Sequence, residues 1–168
     1  MKLKFLKIKT EPHPTTNTQL EYLEHHSAVA VLILNSNESE TLLVKQYRPG
    51  NRGELYEIPA GLIDENENPL NAMYREVEEE TGYNKNSFIE LYKANFPLLI
   101  SPGYTTENLS FFILKLKDDN IIPDEKSLDE GEDLTTHWID LNKVKNMTKD
   151  LKTHYALNLY ELIKKRDN

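Results

Sequence analysis

Three glutamates, Glu76, Glu79 and Glu80, stand at i, i+3 and i+4 in the stretch GLIDENENPLNAMYREVEEETGY, which runs from Gly61 to Tyr83. On an α-helix, at roughly 100° per residue, that spacing turns all three carboxylates to one face, within reach of a common point. The arrangement carries a cost. Like charges three or four residues apart destabilise a helix by about 0.2–0.5 kcal/mol per pair, and negative charge near a helix C-terminus opposes the macrodipole. A hard divalent cation removes both penalties, because Mg²⁺ and its relatives take carboxylate oxygens and water. A solvated acidic face is the plainer alternative for a charge run taken by itself.

The flanking residues define the element that would position these groups. Asn68-Pro69 reads as an N-cap with proline at the first helical position, and Thr81-Gly82 supplies a glycine where a C-terminal cap wants one. Helix formers fill the interval, so the spacing predicts a helix of about three turns. Upstream, Tyr56-Glu57-Ile58-Pro59-Ala60 reads as a strand-like run closed by Gly61.

The stretch also fits the pattern G-x5-E-x7-R-E-U-x-E-E-x-G-U, with Gly61, Glu67, Arg75, Glu76, Val77, Glu79, Glu80, Gly82 and Tyr83 in register. Its seven fixed residues match by chance with a probability on the order of 10⁻⁸ per start point. By this pattern the chain resembles the Nudix hydrolases, whose signature is the Nudix box. The resemblance implies an α/β/α sandwich with a mixed sheet and metal-assisted hydrolysis of a phosphoanhydride. It also implies Glu76 and Glu80 as leading metal ligands, Glu79 beside them as ligand or catalytic group, and the Ala60 carbonyl as a further ligand. Arg75 and Glu67 become an ion pair that orients the helix, Gly61 and Gly82 fixed points of the motif, and Glu78 a solvated position. The metal that the resemblance implies is Mg²⁺ or Mn²⁺.

Three further stretches are similar to the ADP-ribose pyrophosphatases of that family. Gln46-Tyr47-Arg48-Pro49, followed by Glu57-Ile58-Pro59-Ala60-Gly61, implies substrate contacts from Arg48 and Glu57, the guanidinium meeting the phosphates. Ser101-Pro102-Gly103-Tyr104-Thr105-Thr106-Glu107 implies a pocket-shaping loop with Ser101, Gly103 and Glu107 at the substrate. Glu130-Gly131-Glu132-Asp133-Leu134 implies the catalytic base, Glu130 first and Glu132 second. The substrate expected is ADP-ribose, hydrolysed to AMP and ribose 5-phosphate. The alternatives are another nucleoside diphosphate sugar or a dinucleotide (GDP-mannose, a UDP-sugar, an NADH-type compound) and a nucleotide-sensing module that does not hydrolyse.

The rest of the chain is read as scaffold. With 168 residues one main domain is expected over 26–168, preceded by a strand pair in 1–25. Residues 2–9 alternate and Gln19–Glu24 reads as a second strand, joined by a turn from Glu11 to the Thr/Asn run; by resemblance this pair builds a homodimer. Val29–Leu34 and Leu109–Leu116 read as buried strands, Thr41–Tyr47 as a return strand, and Thr135–Ile139 as a short strand carrying Trp138. Asp140 opens a helical region, and Asp150–Lys165 reads as an amphipathic helix with Leu151, Tyr155, Leu159 and Leu162 inward. Zero cysteines exclude disulfides and thiolate metal sites. A net charge of −8 disfavours nucleic acid and anionic membranes as partners. No apolar run has spanning length and the N-terminus lacks a signal-peptide core, so a cytoplasmic location is expected.

Overall fold

A computed structural model describes residues 6–129 and 131–166. The centre of the fold is β3 (Ala28–Leu34), in which every residue is buried. It runs parallel to β9 (Asn108–Leu116), with Ala28 opposite Leu109 and Leu34 opposite Lys115. On its other side it pairs antiparallel with β4 (Glu40–Arg48) and with the short β6 (Ala60–Leu62). The sheet continues through β10 (Leu134–Asp140) and β5 (Gly53–Glu57) on β4, and through β7 (Phe88–Lys93) and β8 (Leu98–Leu99) on β9. It is therefore a mixed sheet of eight strands.

The period-two pleat of β3 divides the core in two. Val29, Val31 and Ile33 meet Ala72, Met73 and Val77 of α1 (Pro69–Thr81), together with Phe112 and Leu114. Ala30, Leu32 and Leu34 meet Val144 of α2 (Leu141–Met147) and Ala156, Leu157 and Tyr160 of α3 (Leu151–Arg166). Helices thus cover both faces of the sheet, the α/β/α arrangement that the sequence pattern implies.

The ends of α1 follow the predicted chemistry. Asn68 accepts from the Asn71 backbone at 3.0 Å, Pro69 opens the helix, and Gly82 closes it at φ 77° while donating to Glu78 O at 2.8 Å. A side chain at Gly82 would place its Cβ 2.1 Å from Asp124 O, so the position is closed to other residues on space as well as on torsion.

Three expectations are corrected. Tyr56–Ala60 is not one strand: β5 ends at Glu57, the chain breaks at Ile58-Pro59, and β6 begins at Ala60 against a different partner. Pro59 has no N–H to give a ladder, and its carbonyl instead accepts from Val31 N at 2.9 Å. Gly61 consequently lies inside β6 rather than closing a strand. The buried face of α3 is Thr153, Ala156, Leu157 and Tyr160, whereas Leu151, Tyr155 and Leu162 are exposed. Polar anchoring of the helix start to β5 sets this rotation, and side-chain hydropathy does not report it. Finally, β1 is Lys7–Pro12, which runs past the predicted end at Lys9 into the stretch read as a turn; residues 2–5 of the predicted 2–9 strand lie outside the described residues.

β1 pairs with β2 (Gln19–Glu24) as a two-stranded sheet apart from the main one, with Ile8 opposite Leu23. Its link to the body is a parallel bridge between Leu23 and Thr105, made by Leu23 N to Tyr104 O (2.8 Å) and Thr106 N to Leu23 O (3.0 Å). None of the helices is long and apolar enough to cross a membrane, among the described residues.

Candidate active site

Helix α1 lies against β6 so closely that Gly61 is required. A Cβ there would sit 1.8 Å from Cδ of Glu76, so the hydrogen of Gly61 faces a carboxylate. One residue earlier, Ala60 N donates to Glu80 Oε2 at 3.2 Å. The second half of the helix and the β6 backbone thus enclose two carboxyl groups that water barely reaches.

Arg75 secures this geometry with all five of its N–H groups. Nε and Nη2 reach Glu67 at 3.2 and 2.9 Å, and Nη2 also donates to Leu62 O at 2.9 Å. Nη1 donates to Glu76 at 2.8 Å and to Glu79 at 3.0 Å. Glu67 in turn accepts from Asp64 N at 3.1 Å, so the guanidinium ties the 62–67 loop to the acidic face. Its bond from Arg75 holds the Glu67 carboxyl below the usual range.

Burial moves the other carboxyls upward. Glu76 is pushed up to about 7 by desolvation, with the charges of Glu79 and Glu132 adding to it and Arg75 only partly compensating. Glu80 is raised well above its ordinary value by burial, then by Glu76 and Glu132, against one backbone hydrogen bond. Two adjacent, desolvated carboxyls, of which Glu76 has only a shared hold on Arg75, form a site that a hard divalent ion would stabilise. The donor set fits: it is all oxygen, and the chain has no thiolate to offer. Among the described residues no three acidic or imidazole groups are so placed as to hold a metal ion by themselves.

The acidic face opens onto a cleft of about 730 Å³. Glu76 and Glu79 line it together with Ala60, Gly61 and Arg75; Arg48, Glu107, Glu132, Asp129, His25 and Lys152 complete the wall. Arg48 is locked to the buried Glu57 in a two-pronged pair, Nε to Oε1 at 2.6 Å and Nη2 to Oε2 at 3.0 Å. Glu57 is therefore a carboxylate under the cleft that holds Arg48 in place.

The remaining expected residues distribute as follows. Glu107 and Glu132 line the cleft, whereas Ser101 and Gly103 do not. Ser101 anchors its turn by accepting from Tyr104 N and Thr105 N at 3.0 and 3.1 Å. Gly103 has open space around it, so nothing there demands glycine. Glu130 lies outside the described residues; its neighbours Asp129 and Glu132 form a turn, Glu132 N donating to Asp129 O at 3.0 Å. The sequence reading did not single out Asp129, His25 or Lys152. Only Lys152 carried any signal, as a residue in the first turn of the helix read over Asp150–Lys165; among many lysines that signal is weak.

A family model described as NUDIX domain matches residues 24–159. The chain is 29% identical over 147 residues to an ADP-ribose pyrophosphatase of Bacillus subtilis, covering 84% of this chain and 76% of that protein. It is 30% identical over 129 residues to a GDP-mannose pyrophosphatase of Yersinia pestis, covering 73% of this chain and 63% of that protein. A methanol dehydrogenase activator of Bacillus methanolicus is 35% identical over 95 residues, 56% of this chain and 49% of that protein.

Proposed function

This chain belongs to the Nudix family, and from that premise we propose that it hydrolyses a nucleoside diphosphate-linked substrate, ADP-ribose in the first place, to AMP and ribose 5-phosphate. The observation that carries the reading is the convergence, in one cleft of about 730 Å³, of the Glu76/Glu79 face with the cation of Arg48. Negative and positive walls are what a metal-bridged diphosphate needs.

Glu76 and Glu80, with the Ala60 carbonyl and Glu79 nearby, are the groups that would hold Mg²⁺ or Mn²⁺. Bound there, the ion would neutralise phosphate charge and acidify a water. The chain's own part is to orient and to move a proton. Arg48, braced by Glu57, holds a phosphate; Arg75 and Glu67 keep the acidic face in register; Glu107 faces the substrate, and Ser101 and Gly103 shape the loop beside it. A carboxylate of the acidic stretch, Glu130 or in its place Glu132, takes one proton from the attacking water. The water oxygen forms a new P–O bond, the bridging P–O bond breaks, and the departing phosphate oxygen keeps the electron pair. Residues 1–25 form an appendage to the 26–168 domain, and through it two copies associate as a homodimer. No nucleic acid or membrane takes part, and the protein works in the cytoplasm.

The likeness to GDP-mannose pyrophosphatases supports a second substrate reading, a different nucleoside diphosphate sugar in the same cleft. Turnover of ADP-ribose, GDP-mannose, UDP-glucose, NADH and a diadenosine polyphosphate, with Mg²⁺ and with EDTA, separates these. We expect kcat/KM to be highest for ADP-ribose and activity to vanish with EDTA. Preference for another member overturns the substrate, and silence on all five, with tight nucleotide binding, favours a sensing module.

A further inference from the structure

Of the cationic side chains that line the cleft, Arg75 has no N–H left to offer. Arg48 has spent Nε and Nη2 on Glu57, and its Nη1 donates to nothing among the described residues. Lys152 donates to Glu57 Oε2 and to Asp150 Oδ1, both at 2.8 Å, which leaves one of its three protons without a partner among the described residues. Arg48 and Lys152 share a single oxygen: Oε2 of Glu57 lies 3.0 Å from Nη2 of the one and 2.8 Å from Nζ of the other. Two cations that would otherwise repel are thereby held side by side, each with spare donors, on the wall of the cleft.

We propose that Lys152 is a substrate-binding residue, forming with Arg48 a two-cation clamp for the substrate's diphosphate that Glu57 holds together. This rests on reading the cleft as a diphosphate site.

The local structure delivers Lys152 to that point. Asp150 Oδ2 caps α3 by accepting from Thr153 N at 2.8 Å, and Thr153 Oγ1 accepts from Ile58 N at 2.9 Å. The first turn of α3 is thus pinned to the end of β5, beside Glu57. A purely structural role for Lys152 is redundant, since Glu57 already has both prongs of Arg48 and Asp150 has the N–H and hydroxyl of Thr153. Lys152 also stands at a neck. With Glu107 and Leu109 it borders a second cavity of about 320 Å³, whose other walls include Leu98, Phe111 and Tyr155. A phosphate held at this neck leaves the group attached to it free to enter the more apolar space.

The test uses the full chain with Lys152→Met and Lys152→Arg. Three quantities are read: steady-state kinetics on ADP-ribose with Mg²⁺, calorimetric binding of its α,β-methylene analogue, and the thermal midpoint. In Lys152→Met we expect KM and the analogue's Kd to rise by about 10- to 100-fold, the loss of a charge-assisted hydrogen bond. The midpoint should hold and kcat should change little, while Lys152→Arg recovers most of the binding. Unchanged KM and Kd in Lys152→Met overturn the clamp, as does a loss that tracks a fallen midpoint. If the wild type hydrolyses none of the substrates yet Lys152→Met weakens analogue binding, the hydrolase reading falls and the clamp stands.

Discussion

At the level of single residues, the site is a set of carboxyls whose charges the fold makes expensive. Glu80 is buried and, among the described residues, accepts its one hydrogen bond from Ala60 N, so Glu80→Gln removes an ionisable group without opening a cavity. The expected outcome is kcat reduced by at least about 1,000-fold with a thermal midpoint equal to or above that of the wild type. Retention of more than a few per cent of kcat would sink the metal assignment. The pH dependence of the metal-free protein follows from Glu76, raised from an ordinary 4.5 to about 7. A carboxyl whose folded value is raised favours folding in its protonated form. That contribution is complete below pH 4.5 and is lost as pH climbs through 7. Glu80 acts in the same direction. Between pH 5 and 8 in EDTA, about 2 kcal/mol of stability should therefore disappear after allowance for solvent screening. Added Mg²⁺ should restore it at the alkaline end, as read by denaturant titration at each pH.

Secondary-structure elements carry their own constraints, and here the narrow gap between α1 and β6 is decisive. Gly61→Ala forces a methyl into the Glu76 carboxylate; the chain should fold, since the clash falls on a side chain, but lose at least about 100-fold in kcat/KM in the same assay. Far from the cleft, Glu38 in the β3–β4 turn accepts from the Tyr160 hydroxyl of α3 and from Lys115. Tyr160 is the largest reason that the Glu38 carboxyl titrates near 2, so Tyr160→Phe should cost about 1 kcal/mol at pH 7. Below pH 2, where Glu38 is protonated in both forms, the difference should shrink, and activity at pH 7 should be untouched. Much of this architecture was legible because local chemistry dictated it. Asn68-Pro69 and Gly82 bound α1 as read, and the unbroken apolar run Val29–Leu34 falls in the central strand, which starts one residue earlier at Ala28. What escaped were long-range polar links. Nothing local says that Thr153 Oγ1 accepts from Ile58 N, and it is this bond, with the Asp150 cap, that turns Leu151 and Tyr155 outward and Lys152 to the site. The fit of a guanidinium to phosphate also favoured Arg48 over any lysine as the anion binder, which hid Lys152.

For the whole molecule, the β1–β2 ribbon stands apart from the sheet, fastened to the body at Leu23 through the 104–106 turn. Ile8 is 63% exposed on it, so a charge there costs the isolated fold nothing. If the ribbon is the homodimer contact proposed above, Ile8→Glu should shift sedimentation from dimer to monomer at unchanged helix content; a variant that stays dimeric places the contact elsewhere. The order in which the cleft is assembled has a consequence for synthesis. Glu57 and Ile58 take partners from residues 152 and 153, almost at the far end of the described chain. On the ribosome, the acidic helix and its glycines emerge long before α3, and β4 waits equally for β10. A nascent chain therefore holds a buried glutamate neutralised on one side only until α3 docks. Closing the cleft and finishing the fold become one late event, so an incompletely made chain is not a partly working one.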